Sequence, residues 1–554
     1  MKTGSTFNHV IGSESRSEIL DQMEQMIDVG IALSAEQDTT KLLEKILTTA
    51  QRITHADGGT IYSVTANKEL KFETLINNTL GMYMGGSSGN TIPFPEIPLT
   101  IDGRENHSAL VAFAANTNQV INIPDAYQPF DGFDMTLAKQ MDAKIGYRTQ
   151  SVLTIPMTNH EGDLNGVLQL INAQQDDEII AFSEQVERVV VALASQAAVA
   201  LTNRGLIDEM EGLFRSFTKL LAHSIDEKSP YTGGHCRRVP EITMMLAQAA
   251  NEAKEGPFAD FSMNEADMYE LNIAAWLHDC GKIATPEYVM DKATKLETVF
   301  DRIDYVVARF EIAKRDMKIQ HLQTELTMLK NGEIAPAERF TEYQAALRQL
   351  DDDLLFLIQS NIGSEFMSEK AQRRVYTIAE KYQIEIQEQR QAILDQDLIT
   401  NLSIAKGTLN EKERQIINKH ITISIDMLDA LPFPKHLQNV PEYAGGHHEK
   451  MDGTGYPKGL TREQMSVPAR MMAIADIFEA LTASDRPYKE AKTLSECLKI
   501  LGFMKLDNHI DPDLFDLFIE SEIYLKFAEI FLKPFQIDKV DLSAIPGYRA
   551  KEVG

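Results

Sequence analysis

"GGHHEKMDGTGYPKGL", residues 445–460, sets two histidines side by side, follows them with a glutamate and an aspartate, and runs into a Gly-Tyr-Pro turn. Neighbours on a helix point about 100° apart, so a helical His447 and His448 would not easily share one metal ion. Either they serve two ions or one is a spectator. Four other stretches supply partners. "YTGGHCRRV" offers His235, and "AAWLHDCGKIATP" offers His278 and Asp279 with Lys282 three residues on. "ERQIINKHITIS" offers His420, and "MMAIADIFEALTASDRPYK" offers Asp476. Imidazole nitrogens and carboxylate oxygens suit Fe, Mn or Zn rather than thiolate chemistry. Singly each residue is weak, because a lone histidine is more often hydrogen-bonded than ligating. Asp476 is the exception, since a carboxylate on so apolar a helix, with Ala473 and Ala480 a turn either side, is costly to bury without a cation or donors.

The bulk numbers bound the reading. At 554 residues, two or three domains are expected. The formal charge of −28 argues against general nucleic-acid binding and against docking on anionic lipid. Three cysteines without a CxxC make no disulfide framework and suit a reducing compartment. Residues 1–20 show no signal-peptide pattern, and the apolar run at 189–201 is too short to span a bilayer. The expectation is a cytoplasmic protein with no membrane span.

Along the chain, 1–36 reads as a tail with a helix from Ser17 to Leu33. Residues 37–182 mix helix and strand: Leu42, Leu43, Ile46, Leu47, Ala50 and Ile53 recur at helical spacing, "TIYSV" follows, and "SVLTIPM" and "GVLQLIN" flank a "HEGDLNG" turn. "LLEKILTTAQRITHADGGTIY", "YRTQSVLTIPM" and "LNGVLQLINA", in that order, resemble a GAF domain, an α+β sensor fold. The cyclic-nucleotide signature of some GAF domains is not matched: Asn172 is followed by Ala173, and Phe182 leads to Val186-Glu187. Residues 183–227 read as one connecting helix. Val186, Val190, Leu193, Ala197 and Ala200 step by 4, 3, 4 and 3, and Ile207, Phe214 and Leu221 follow less regularly. That is a seam for a second copy of the chain or for packing on its own domain. Residues 228–554 hold the candidate ligands, interrupted by a charged helical insertion at about 297–405, where Ile303, Val306, Phe310, Ala313 and Met317 repeat the pattern.

Taken together, "YTGGH", "LHDCGK", "PEYVMDKATKL", His420, "HHEKMDGTGYPKGL" and "ADIFEALTASDRPYK" resemble the HD-GYP subgroup of the HD metal-dependent phosphohydrolases. The resemblance covers about 215–300 and 405–505. It implies an all-α domain that degrades bacterial cyclic dinucleotides, chiefly cyclic di-GMP. It also implies a cluster of His235, His278, Asp279, His420, His447, His448 and Asp476 around two divalent ions, Fe or Mn. Asp279 can bridge both ions, leaving His447 and His448 divided over the cluster. Two ions about 3.5–4 Å apart activate a water and stabilise charge on phosphorus. Asp279, Lys282 and Glu479 are the catalytic candidates. Glu479 lies one turn from Asp476, where it orients a ligand or relays a proton. Lys282, Gly455, Tyr456, Pro457, Arg486 and Lys489 are the substrate-contact candidates. Some family members carry a glutamate four residues before the first histidine and a third ion. Here that position is Tyr231, so two ions are expected. The insertion explains why His420 follows Asp279 by 141 positions.

The expectation is therefore a homodimeric sensor phosphodiesterase converting cyclic di-GMP to linear pGpG, or on to GMP, under control of its GAF domain. Two alternatives stay open: a non-hydrolytic cyclic-dinucleotide receptor or scaffold that docks a diguanylate cyclase or adaptor, and a phosphodiesterase for cyclic GMP-AMP. Glu449 is expected to orient a ligand, Pro240 to mark a helix start or kink, and Cys236 and Cys280 to be packing residues or redox sensors.

Overall fold

In the computed structural model of the chain, residues 30, 36, 38–128, 139, 142–143, 146–176, 178–228, 234–334, 336–363, 366–484 and 491–549 are described. The Ser17–Leu33 helix, save Gly30, and Tyr231, Arg486 and Lys489 lie outside them. The chain forms two units, Met1–Leu213 and Phe214–Gly554.

In the first unit Asp38 accepts from the N–H groups of Thr40 and Lys41 and caps helix Thr39–Thr54. His55, in the left-handed conformation, ends the helix and the chain turns into strand Ala56–Val64. The main path of the sheet runs Met82–Gly85, Glu69–Asn77, Ala56–Val64, Leu164–Gln175, Val152–Thr158, Ile121–Ile123, with antiparallel pairs throughout. The expected hairpin forms, with Thr158 opposite Leu164. Alternate strand residues face opposite sides. Ile61 and Leu168 join Leu42, Ile46 and Leu47 beneath the helices, while Tyr62 and Val167 pack with Val111 and Ala112 on the other face. Gly59 permits the close helix–sheet approach, because a Cβ there would lie 2.7 Å from Leu47 Cδ1.

One helix runs Glu184–Lys228, 45 residues. By length and composition it could cross a membrane. Its apolar residues Val190, Leu193, Ala194, Ala197 and Ala198 are instead buried against the sheet. The seam proposed for a second copy is thus, over its first half, packing within its own unit. A different stripe is left open: Leu206, Met210, Leu213, Phe217 and Leu220 step by 4, 3, 4 and 3 and are 53–72% exposed. The helix carries apolar residues on more than one face, so spacing alone permits either seam.

In the second unit, helices His235–Glu252, Glu265–Leu277, Val467–Thr482, Leu494–Leu506, Pro512–Glu520 and Ile523–Phe531 surround one core that includes Val239, Leu271, Phe478, Leu498, Phe515 and Phe527. The last turns of Glu184–Lys228 contribute Ala222 and Ile225 to it. Helix Glu411–Asp429 lies against the turn Cys280–Ala284, where a Cβ on Gly281 would come within 2.1 Å of His420 O. Glycine lets the two ligand-bearing segments touch.

The insertion has its own core, from Leu296 to Leu402, and Val306, Phe310 and Ala313 are buried in it as their spacing predicts. It is not wholly helical. Gln383–Ile386 pairs antiparallel with Gln389–Ala392, with Gln387 and Glu388 at φ 54° and 61° in the turn. Alternation wins locally, burying Ile384 between exposed neighbours. The insertion, expected to be helical, thus also holds a two-stranded hairpin.

Candidate metal centre

His235 is the first residue of helix His235–Glu252, whose start is set by Gly234 at φ 85°. Pro240 lies inside this helix, so it does not open one. His278 follows helix Glu265–Leu277, and Asp279 leads into the Cys280–Ala284 turn. His420 lies within Glu411–Asp429, Asp476 within Val467–Thr482, and His447 and His448 in a turn after Val440–Gly445. Segments far apart in sequence thus meet at one point.

Two groups of ligand atoms form there: His235, His278 and Asp279, and His420, His447 and His448. Asp476 Oδ1 joins the first, 3.3 Å from His235 Nε2 and 3.9 Å from His278 Nε2. Asp279 touches both. Its Oδ2 is 3.1 Å from His235 Nε2 and 3.3 Å from His278 Nε2, and its Oδ1 is 3.3 Å from His420 Nε2. Three rings turn the same atom inward. The Nδ1 atoms of His278, His420 and His447 donate to the carbonyls of Ala275, Ile417 and Ala444, which leaves each Nε2 lone pair facing the centre. His235 Nδ1 is held by Glu479, which Arg238 Nε also grips at 2.7 Å.

The fit to divalent cations rests on unsatisfied atoms. Asp279 Oδ1, His420 Nε2 and His447 Nε2 are buried with no hydrogen-bond partner. Buried lone pairs facing each other are costly unless a cation takes them.

The charges follow. Burial alone would raise the Asp279 carboxyl, but Lys282, His278 and His235 hold it well below its usual range. Burial would likewise raise Asp476, yet His235, His447 and His448 bring it far down. Burial pushes His448 down to about 4 and, with His448 and His278 adding, His447 well below its ordinary value. Both are neutral at pH 7, the form an imidazole needs to bind a cation. Burial opposes protonation of His235, but Glu479, Asp279 and Asp476 raise it well above the usual value. A cation here would replace that proton. Cys236 and Cys280 are buried and their thiols are pushed up by burial, Cys280 to about 11, which leaves them inert packing residues.

In the "HHEKMDGTGYP" stretch, His447 and His448 each place a nitrogen within reach of His420, and the His447 ring also stands edge-on to His278, with centroids 4.9 Å apart. A turn rather than a helix carries them, with ring centroids 4.4 Å apart. Glu449 orients no ligand; it accepts from the N–H groups of Lys458 and Leu460 and so pins the Gly-Tyr-Pro loop. Gly455 is a packing glycine, since a Cβ would lie 2.4 Å from Lys450 N. Tyr456 stacks on His448 at 4.9 Å, and Pro457 follows through a cis peptide.

A cavity of about 240 Å³ opens onto the cluster, lined by His235, Lys282, His420, His448, Tyr456, Asp476 and Glu479 among others. Lys282 Nζ is 2.6 Å from Asp279 Oδ2. Sequence reading passes over Arg238 and Asn418, which also line it. Arg238 could have been found one turn after His235 on the same helix; no local signal marks Asn418.

Residues 38–201 match the family model of the GAF domain, and residues 397–514 that of an HD domain. The chain joins a GAF domain to an HD domain. The HD match takes in His420, His447, His448 and Asp476. Among curated proteins, the chain is 38% identical over 115 residues to the 3'3'-cGAMP-specific phosphodiesterase 1 of Vibrio cholerae, covering 21% of this chain and 26% of that one. It is 44% identical over 115 residues to a cyclic di-GMP phosphodiesterase of Pseudomonas aeruginosa, covering 21% and 27%. It is 34% identical over 120 residues to a cyclic di-GMP phosphodiesterase response regulator of Xanthomonas campestris, covering 22% and 31%. The matches thus span about a quarter to a third of these relatives.

Proposed function

We propose that this protein is a sensor phosphodiesterase that hydrolyses cyclic di-GMP to linear pGpG, and on to GMP, at a site holding two ions of Fe or Mn. The observation that carries this reading is Asp279 set between two groups of inward-facing imidazoles, with three buried lone pairs left over. The names of the similar proteins favour a cyclic dinucleotide.

When bound, the two ions supply Lewis acidity at a phosphoryl oxygen and lower the pKa of a water. The chain's residues do the rest. Asp279 ties the two halves together. The Lys282 ammonium, held by Asp279 and facing the cavity, receives a phosphate oxygen and offsets charge that develops on it. Arg238 adds a second cation from the adjoining wall. Arg486 and Lys489, on "DRPYK", are further phosphate contacts. Glu479 keeps His235 turned toward the centre. The Tyr456 ring, fixed against His448, offers a face for a base or ribose. The residues at the centre are almost wholly buried, which keeps bulk water from the reacting atoms.

The exposed Leu206–Leu220 stripe fits a second copy of the chain in a coiled coil, which makes the protein a homodimer. One other substrate is favoured by a specific observation: three of the similar Vibrio cholerae proteins are named for 3'3'-cGAMP. The test is incubation of anaerobically purified, Fe- or Mn-loaded protein with each cyclic dinucleotide, followed by chromatography of products. Linear pGpG as the fastest-formed product supports the reading. Faster turnover of cGAMP transfers it to that substrate, and tight binding without product with either metal makes the protein a receptor or a scaffold for a cyclase or adaptor.

A further inference from the structure

The end of the long helix Glu184–Lys228 grips the first half of the metal centre with two side chains. Asp226 Oδ2 accepts from Gly234 N at 3.0 Å, and its Oδ1 accepts from Cys236 N at 3.3 Å. Those are the N–H groups either side of His235. Helix His235–Glu252 has no cap from its own Gly234, so Asp226 satisfies its open N-terminus from another helix. Two residues later, Lys228 Nζ donates to three carbonyls: Lys282 at 3.2 Å, Ile283 at 2.6 Å and Thr285 at 2.7 Å. These belong to the turn that follows Asp279 and carries Lys282.

The geometry is selective. Positions two apart on a helix point about 200° apart, so the two grips lie on opposite sides of one helix end. One holds the backbone at His235 and the other the turn after Asp279, whose ligand atoms are 3.1 Å apart. Ala222 and Ile225 are buried in the surrounding core, which makes this end of the helix a fixed part of the domain. The turn held by Lys228 also packs on the helix that carries His420, where Gly281 N donates to Ser424 Oγ at 2.8 Å, and Asp279 Oδ1 lies 3.3 Å from His420 Nε2. A small rotation or axial shift of the helix end would therefore change the spacing of His235 and Asp279 Oδ2 most directly, and would reach the three-histidine group only through this turn and Asp279.

We propose that Asp226 and Lys228 are positioning residues through which the connecting helix sets the geometry, and hence the metal affinity, of the His235–His278–Asp279–Asp476 position more than that of the His420–His447–His448 position. This rests on the two-ion reading above. It makes the first position the more strongly regulated half of the centre.

The test is a titration of metal-free, full-length protein with Co²⁺, following ligand-field absorbance and bound-metal stoichiometry, with folding checked by circular dichroism. Wild-type protein should take up two ions. Lys228→Met and Asp226→Asn should each weaken one uptake step by about tenfold or more and the other by clearly less. Lys228→Arg, which keeps the charge and donors, should restore the wild-type titration. If Asp226→Asn fails to fold, the Lys228→Met and Lys228→Arg pair still decides. Unchanged titrations, or equal weakening of both steps, would overturn the proposal. Uptake of a single ion by wild-type protein would instead overturn the two-ion reading on which it stands.

Discussion

Asp279 Oδ1 lies 3.3 Å from His420 Nε2, and neither atom has a hydrogen-bond partner. The opposite oxygen of the same carboxylate faces His235 and His278 and is held by Lys282. One aspartate thus divides its two oxygens between two sets of imidazoles. That division suits a pair of cations better than one, and it makes Asp279 the residue whose loss touches both positions.

Glu479 acts through His235. It accepts from the ring and from Arg238 and is itself almost wholly buried. Glu479→Gln should lower metal affinity and hydrolysis by about 10–100-fold, the usual effect of losing a partner that orients a ligand. Equilibrium dialysis against Mn²⁺, alongside turnover with cyclic di-GMP, measures both. Unchanged affinity would remove Glu479 from this role.

Lys282 makes a different prediction. Its ammonium lies at the mouth of the centre, and burial, which would lower it, is overridden by Asp279 and Asp476, so that it is charged throughout the working range. Lys282→Met should reduce kcat by on the order of 10²-fold with a smaller change in KM, since the charge it offsets is greatest in the transition state. Steady-state kinetics with cyclic di-GMP separates the two.

Lys295 concerns stability. It is buried at the start of the insertion; among the described residues its ammonium meets Met367 Sδ at 3.5 Å and Leu402 O at 3.3 Å, and burial brings it down to about 8 from 10.5. Between those values the unfolded chain holds a proton that the folded chain has released, so stability rises as pH rises through that window. Below pH 8 both states hold the proton and the cost is complete. Lys295→Met should therefore be more stable than wild type at pH 7, by about 1–3 kcal/mol, with the advantage fading towards pH 10.5. Urea unfolding of both proteins at pH 7 and pH 10 measures it.

The exposed stripe predicts an assembly. A partner would bury side chains worth about 1.5–3 kcal/mol each. Met210→Glu with Phe217→Glu should thus raise the dimer dissociation constant by on the order of 10²-fold or more, seen by analytical ultracentrifugation. A wild-type monomer at micromolar concentration would contradict the coiled-coil reading.

The candidate set is legible mainly through the resemblance its motifs carry together; only Asp476 has a physical argument of its own, as a carboxylate costly to bury on an apolar helix. All seven candidates, from His235 to Asp476, meet in space. The hairpin of the first unit is readable because two short β-rich runs, 151–157 and 166–172, flank a turn-forming stretch. Other features depend on tertiary contacts that no local pattern announces. His447 and His448 converge because a turn replaces the helix. Glu449 turns away to two backbone N–H groups of the following loop. The Gln383–Ala392 hairpin hides in a charged segment where only Ile384 is fully buried. The seam of the connecting helix is ambiguous because its apolar residues serve the domain core first and leave a second stripe outside.

The most direct measurement is anomalous scattering from crystals of the anaerobically purified protein. The account predicts two peaks about 3.5–4 Å apart astride Asp279, one on the side of His235 and His278 and one on the side of His420, His447 and His448. A single peak shared by both groups, or a third beside Tyr231, would contradict it.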